Sequence, residues 1–92
     1  YNAAKALMNR GIVYNSISRY DEAIAAFNQA LPIFRELKDR RSEASALSSL
    51  GSAYRFLSRF EEALTAFDQA LPILRTIKDR SGEAGVLMNR GV

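Results

Sequence analysis

The chain has 92 residues, a net charge of +3, no cysteine and no histidine, and 48% of its residues are apolar. Such a composition suits one small globular domain, near the lower size limit for a self-sufficient core. It excludes disulfides and thiolate metal sites, removes the commonest general base, and leaves no apolar run of the roughly 18 residues a membrane span needs.

The first predicted helix covers 3–17. Leu7, Gly11, Tyr14 and Ile17 recur at i, i+4, i+7 and i+10, one stripe of a 3.6-residue helix. Ser18-Arg19 breaks the stripe. The second helix, 21–38, carries Ala23, Ile24, Phe27, Ala30, Leu31 and Phe34. Asp21 and Glu22 open it and Arg35 and Lys38 close it, the polarity that the helix dipole favours. Pro32 removes one backbone hydrogen bond, so this helix either bends there or ends and restarts. The connector Asp39-Arg40-Arg41-Ser42 offers Asp and Ser as N-caps. A third helix at 42–57 repeats the first stripe as Leu47, Gly51, Tyr54 and Leu57. A fourth at 61–78 repeats the second with Glu61, Glu62, Ala63, Leu64, Phe67, Ala70, Leu71, Pro72 and Leu74. The fifth, 82–92, begins the pattern again and reaches Gly91.

These echoes are systematic. Residues 1–40 and 41–80 are identical at 20 of 40 aligned positions. A period of this size marks stacked helical hairpins, none of which buries its apolar face alone. The expected organisation is one all-α solenoid of antiparallel hairpins, with repeat units 1–40 and 41–80 and the first helix of a third at 81–92. Gly11, Gly51 and Gly91 each cost about 1 kcal/mol against alanine inside a helix. Their recurrence at one phase implies close approach of a neighbouring helix, with Ala23/Ala63 and Ala30/Ala70 as the matching flat spots. Residues 81–92 match 1–12 at 6 of 12 positions, including LMNRG at 7–11 and 87–91, but match 41–52 at only 4. Because the chain opens on Tyr1 and stops in mid-motif, it reads as a piece of a longer array with uncapped ends. Head-to-tail homo-oligomers or helix exchange are then expected, with Leu87 and Met88 lying against or beside the fourth helix.

The pattern Leu47…Leu50-Gly51…Tyr54…Phe60…Ala63…Phe67…Ala70, with Leu7…Gly11…Tyr14…Tyr20…Ala23…Phe27…Ala30 before it, resembles the tetratricopeptide repeat. The period of 40 is similar to the longer subclass seen in kinesin light chains and in many bacterial, especially cyanobacterial, multidomain proteins. Departures are the usual tryptophan, here Leu7 or Leu47, and the usual turn glycine, here Ser18 or Ser58. The residue before the signature glycine is leucine only at Leu50, being Arg10 and Arg90 elsewhere; those arginines can lay their methylenes along the core. The resemblance implies a right-handed superhelix whose first helices line a concave groove for peptides or partner helices.

On that groove side the first helix would present Lys5, Asn9, Ile12 and Ser16. The third would present Ser45, Ser49, Ser52 and Phe56, with Ser48 and Arg55 beside them, and the fifth Gly85, Met88, Asn89 and Val92. The expected partner-binding set is Lys5, Asn9, Ile12, Ser49, Ser52, Arg55 and Asn89. Asn9 and Asn89 stand where the family often grips a bound peptide's backbone, since an amide both donates and accepts; they are otherwise plain exposed polar residues. The serine row is either a shallow floor for close approach or a neutral surface. The family's clamp for C-terminal carboxylates is missing: Met8, Ile12, Ser49, Gly85 and Asn89 occupy its positions without a cation. Catalysis is not expected, because no nucleophile has a base at a recognisable spacing and no phosphate loop is present. No cofactor, metal, membrane or nucleic acid is expected either, since only Lys5 and Arg55 put cations on the groove. What remains is a cytoplasmic protein–protein interaction module within a larger scaffold, or a self-assembling structural element.

Overall fold

The computed structural model describes the backbone of residues 2–90 and the side chains through Met88. Five helices follow one another: α1 Asn2–Ser16, α2 Tyr20–Glu36, α3 Arg40–Phe56, α4 Phe60–Thr76 and α5 Arg80–Arg90. No strand occurs among the described residues. Pro32 and Pro72 lie inside α2 and α4, so each second helix runs through its proline instead of restarting.

Every turn is built the same way. Ser18, Lys38, Ser58 and Lys78 have φ of 64°, 58°, 62° and 58°, the left-handed conformation that ends a helix. At the first turn, Arg19 N donates to Tyr14 O at 2.8 Å and Ser18 N to Asn15 O at 3.2 Å. This is the Schellman pair of bonds, and it recurs at the other three turns, as in Asp39 N to Phe34 O at 2.9 Å. The lysines predicted to close the second helices therefore stand just outside them. The next residue starts the following helix. Asp39 accepts from Ser42 N at 3.3 Å and Asp79 from Gly82 N at 2.9 Å, so the aspartate is the N-cap and Ser42 only a donor. Arg19 and Arg59 hold the same position without a side-chain cap. Each reaches instead to the glutamate three residues on: Arg19 lies 3.4 Å from Glu22, and Arg59 Nε donates to Glu62 at 3.1 Å.

Three-residue connections force neighbouring helices antiparallel, and α1 to α5 pack in sequence. The first helices also touch one another, α1 with α3 and α3 with α5, whereas α2 and α4 make no such approach among the described residues. The stack therefore closes up on its first-helix side. One core cluster runs from Ala23, Ile24 and Phe27 through Leu47, Leu50 and Ala53 to Phe67, Leu71, Leu74 and Val86. A smaller one joins Ala4, Ala30 and Phe34.

The glycines seat phenylalanines. A Cβ at Gly11 would stand 2.6 Å from Phe27, and one at Gly51 2.5 Å from Phe67. Ala23, Ala63, Ala30 and Ala70 are buried as expected, but the group that meets each glycine is the ring. Gly91 lies outside the described residues. Successive hairpins are also latched by charge: Arg35 bonds Glu43 at 3.0 Å and Arg75 bonds Glu83 at 2.9 Å. Two expectations fail. Arg10 is exposed, not laid along the core, because none of the described helices covers that side of α1. Leu87 packs against the core cluster, but Met88 is 78% exposed.

Candidate functional site

The described residues carry no group of three or more His, Cys, Asp or Glu able to hold a metal ion. On the first-helix side, a cavity of about 360 Å³ lies between α3 and α5. Ser45, Ser48, Ser49 and Ser52 form one wall, and Gly82, Gly85 and Val86 face them, with Leu74 and Asp79 at the end. Side chains this small leave the two helices a trough. A Cβ at Gly85 would meet nothing within 4 Å, so this glycine is not required by packing as Gly51 is.

Ser49 and Ser52 thus share one wall, half-buried. Lys5, Asn9 and Ile12 are exposed on α1, at the positions that Ser45, Ser49 and Ser52 hold on α3. Arg55 is exposed near the end of α3, outside the cavity. The side chain of Asn89, like all of Val92, lies outside the described part. Phe56, 60% exposed, stacks on Tyr20 with ring centroids 5.1 Å apart. It therefore joins α3 to the start of α2.

Sequence reasoning missed Asn15. Its Nδ2 donates to the Ser49 carbonyl at 3.4 Å, tying α1 to α3, while its Oδ1 is buried with no partner among the described residues. Its only signal was its phase, four residues after Gly11. Asp79 was also missed as a wall residue; it was legible only as a helix cap. Its carboxylate caps α5 and lies 3.7 Å from Arg41.

On the opposite side a cavity of about 330 Å³ separates α2 from α4 over α3. Asn28, Leu31 and Arg35 line it from α2, with Leu50 and Tyr54 below and Gln69 opposite. At its margin Arg59 lies over the Tyr54 ring, 5.0 Å from the centroid. The Glu62 hydrogen bond raises the Arg59 guanidinium above its ordinary range.

Glycine-seated rings, alternating helices and left-handed turns all recur at forty residues, and the sequence model of the Tetratricopeptide repeat family matches residues 2–76. The chain belongs to the tetratricopeptide repeat family. No curated protein matches it. Tetratricopeptide repeats generally mediate protein–protein interaction and are typically non-catalytic scaffolds. No helix among the described residues is long and apolar enough to cross a membrane.

Proposed function

We propose that this tetratricopeptide array is a non-catalytic interaction module whose first-helix groove, across α1, α3 and α5, takes a peptide or helix of a protein partner. The observation that carries this reading is where the two copies differ. Of the residues lining the trough, Ser45, Ser48, Ser49 and Ser52 correspond to Lys5, Met8, Asn9 and Ile12, and all four positions differ between copies that are identical at half their positions. The exposed positions of the second helices vary less: Glu22/Glu62, Gln29/Gln69, Pro32/Pro72 and Arg35/Arg75 are unchanged, while Asp21/Glu61, Ala25/Thr65, Asn28/Asp68 and Glu36/Thr76 differ. A surface that diversifies while its scaffold repeats is one whose chemistry is set by something other than the fold. Lys5, Asn9, Ile12, Ser49, Ser52, Arg55 and Asn89 are the contact residues of this reading, and extended or helical segments are the occupants such grooves suit. The forty-residue period supports the kinesin-light-chain-like and bacterial subclass, and with it a place inside a larger cytoplasmic scaffold.

Peptides selected from a random library against the folded chain test this. Ser49→Tyr with Ser52→Tyr should fill the trough and weaken the selected peptides at least tenfold, and Asn9→Ala with Asn89→Ala should weaken them without moving the melting curve. Gln69→Ala, on the outer face, should leave them bound. Selected peptides that respond to Gln69→Ala and ignore the serines would place the interaction on the other side.

A further inference from the structure

One corner of the stack gathers more positive charge than its own ion pairs neutralise. Where α2 turns into α3, Arg35, Lys38, Arg40 and Glu43 line a cavity of about 460 Å³. Glu43 is 5% exposed, and both of its oxygens are taken. Arg35 Nε donates to Oε2 at 3.0 Å and Arg40 Nη1 to Oε1 at 3.3 Å. A guanidinium has five N–H donors in a fixed fork, so the carboxylate orients both arginines while engaging one donor on each. Both arginine side chains are about half exposed, at 49% and 57%. Lys38 is exposed and has no ion pair among the described residues. Asp39 accepts from Ser42 N as the cap of α3 and is not part of the cavity lining. Three cations against one carboxylate leave the lining two positive charges in excess.

The turn itself does not account for the lysine. Lys38 has φ of 58°, where glycine is unstrained and a Cβ is not, so the backbone would turn more easily without it. At the turns that end α1 and α3 the left-handed residue is serine, Ser18 or Ser58, and two places on stands Tyr20 or Phe60. Only where an arginine stands two places on, at Arg40 and Arg80, is the left-handed residue lysine. The α4–α5 corner carries the same four residues as Arg75, Lys78, Arg80 and Glu83. There Glu83 holds Arg75 at 2.9 Å, and Arg80 has no ion pair among the described residues. The α2–α3 corner is thus the one with both guanidiniums fixed by a single buried carboxylate.

We propose that the α2–α3 corner, Arg35, Lys38 and Arg40 around Glu43, is a binding site for a phosphate monoester. Such a group carries nearly two negative charges and three strong acceptor oxygens, which match the excess charge and the three cations of the lining. Arg35 and Arg40, oriented by Glu43, supply N–H donors in fixed geometry, and Lys38 supplies a point charge. A carboxylate would offer two oxygens and one charge, leaving one cation unmatched. None of these residues lines the trough between α3 and α5, so the site stands whether or not the first-helix groove takes a peptide.

Titration of the intact chain with inorganic phosphate and with a short phosphoserine peptide, followed through the arginine Nε–H resonances, tests this. Saturable shifts should appear at Arg35 and Arg40, and the same peptide without its phosphate should cause none. Lys38→Gly should weaken binding at least about tenfold, the effect of losing one charge-assisted hydrogen bond, while the protein melts no lower than the parent. Arg40→Gln should weaken it as much with helix content unchanged. Arg19→Gln removes the same charge at the first turn and should leave binding unaltered in about 0.15 M salt, where distant charges are screened. Tighter binding of the peptide than of the free ion would make the ligand a phosphorylated segment of a partner; equal binding would make it a small phosphate. Shifts that do not saturate by about 10 mM phosphate, or equal losses in Arg19→Gln and Lys38→Gly, would overturn the proposal and leave only a general attraction of anions to a basic chain.

Discussion

At the scale of single residues, the fold turns on a glycine under a ring and on four left-handed turn residues. A Cβ at Gly51 would overlap Phe67 at 2.5 Å, so a longer side chain must push α3 and α4 apart. Gly51→Leu should destabilise by about 1–3 kcal/mol, the usual cost of overpacking; a melting curve like the parent's would show that the ring can move aside at no cost. Gly85→Ala, with nothing within 4 Å, should be neutral or stabilising, as a helical glycine costs about 1 kcal/mol against alanine. The turns give the reverse experiment. Ser58 holds φ of 62° and Lys38 φ of 58°, where a Cβ is strained and glycine is not. Ser58→Gly or Lys38→Gly should stabilise by about 0.5–1 kcal/mol, less than the full strain because glycine also loosens the unfolded chain. Denaturant melts with unchanged slope would measure the gain. The seating glycines were legible because a costly residue recurs at one phase. The lysine turns were not: Lys38 and Lys78 look like the basic last turn of a helix, and nothing in their chemistry marks a positive φ.

At the scale of elements, successive hairpins are joined by apolar packing and by one repeated ion pair. Glu43 is 5% exposed and takes Arg35 at 3.0 Å and Arg40 at 3.3 Å. Glu83 takes Arg75 at 2.9 Å, with its side chain 28% exposed. Every arginine involved is about half exposed, so each pair is worth little more than a surface bridge. Glu43→Ala should cost about 1 kcal/mol and Glu83→Ala about half of that. Because exposed partners are screened, the difference should shrink in about 1 M salt; equal costs at low salt would mean that the second arginine adds nothing. Helix order and antiparallel pairing were legible from period and turn spacing. The latch was not, because residues 35 and 43 lie on different helices and no local pattern pairs them. The proline question was settled by context: each proline is exposed on the outside of its helix, where losing one hydrogen bond is tolerated.

At the scale of the whole molecule, the burial of a residue follows from its neighbours in the stack more than from its own chemistry. Ala6 and Ala46 are the same residue at the same phase, yet one is exposed and the other wholly buried. A sequence read position by position cannot tell them apart; it shows the fold's periodic part and hides which copies are covered. The groove residues were hidden for the same reason: Ser49 and Ser52 line a cavity only because α5 stands opposite, and α5 is the shortest helix described. Solenoids of this kind have stability that sums over repeats and the interfaces between them, so local opening should grade outward from the centre. α3 alone has a hairpin partner on one side and first helices on both. Native-state hydrogen exchange should therefore find the slowest amides around Leu47, Leu50 and Ala53 of α3, around Phe67, which is seated on it, and around Phe27 in the same core cluster. Amides of α1 and α5 should exchange through smaller openings, with α5 the faster because it is the shortest helix described. Protection in α5 equal to that in α3 would mean that the five helices open only together.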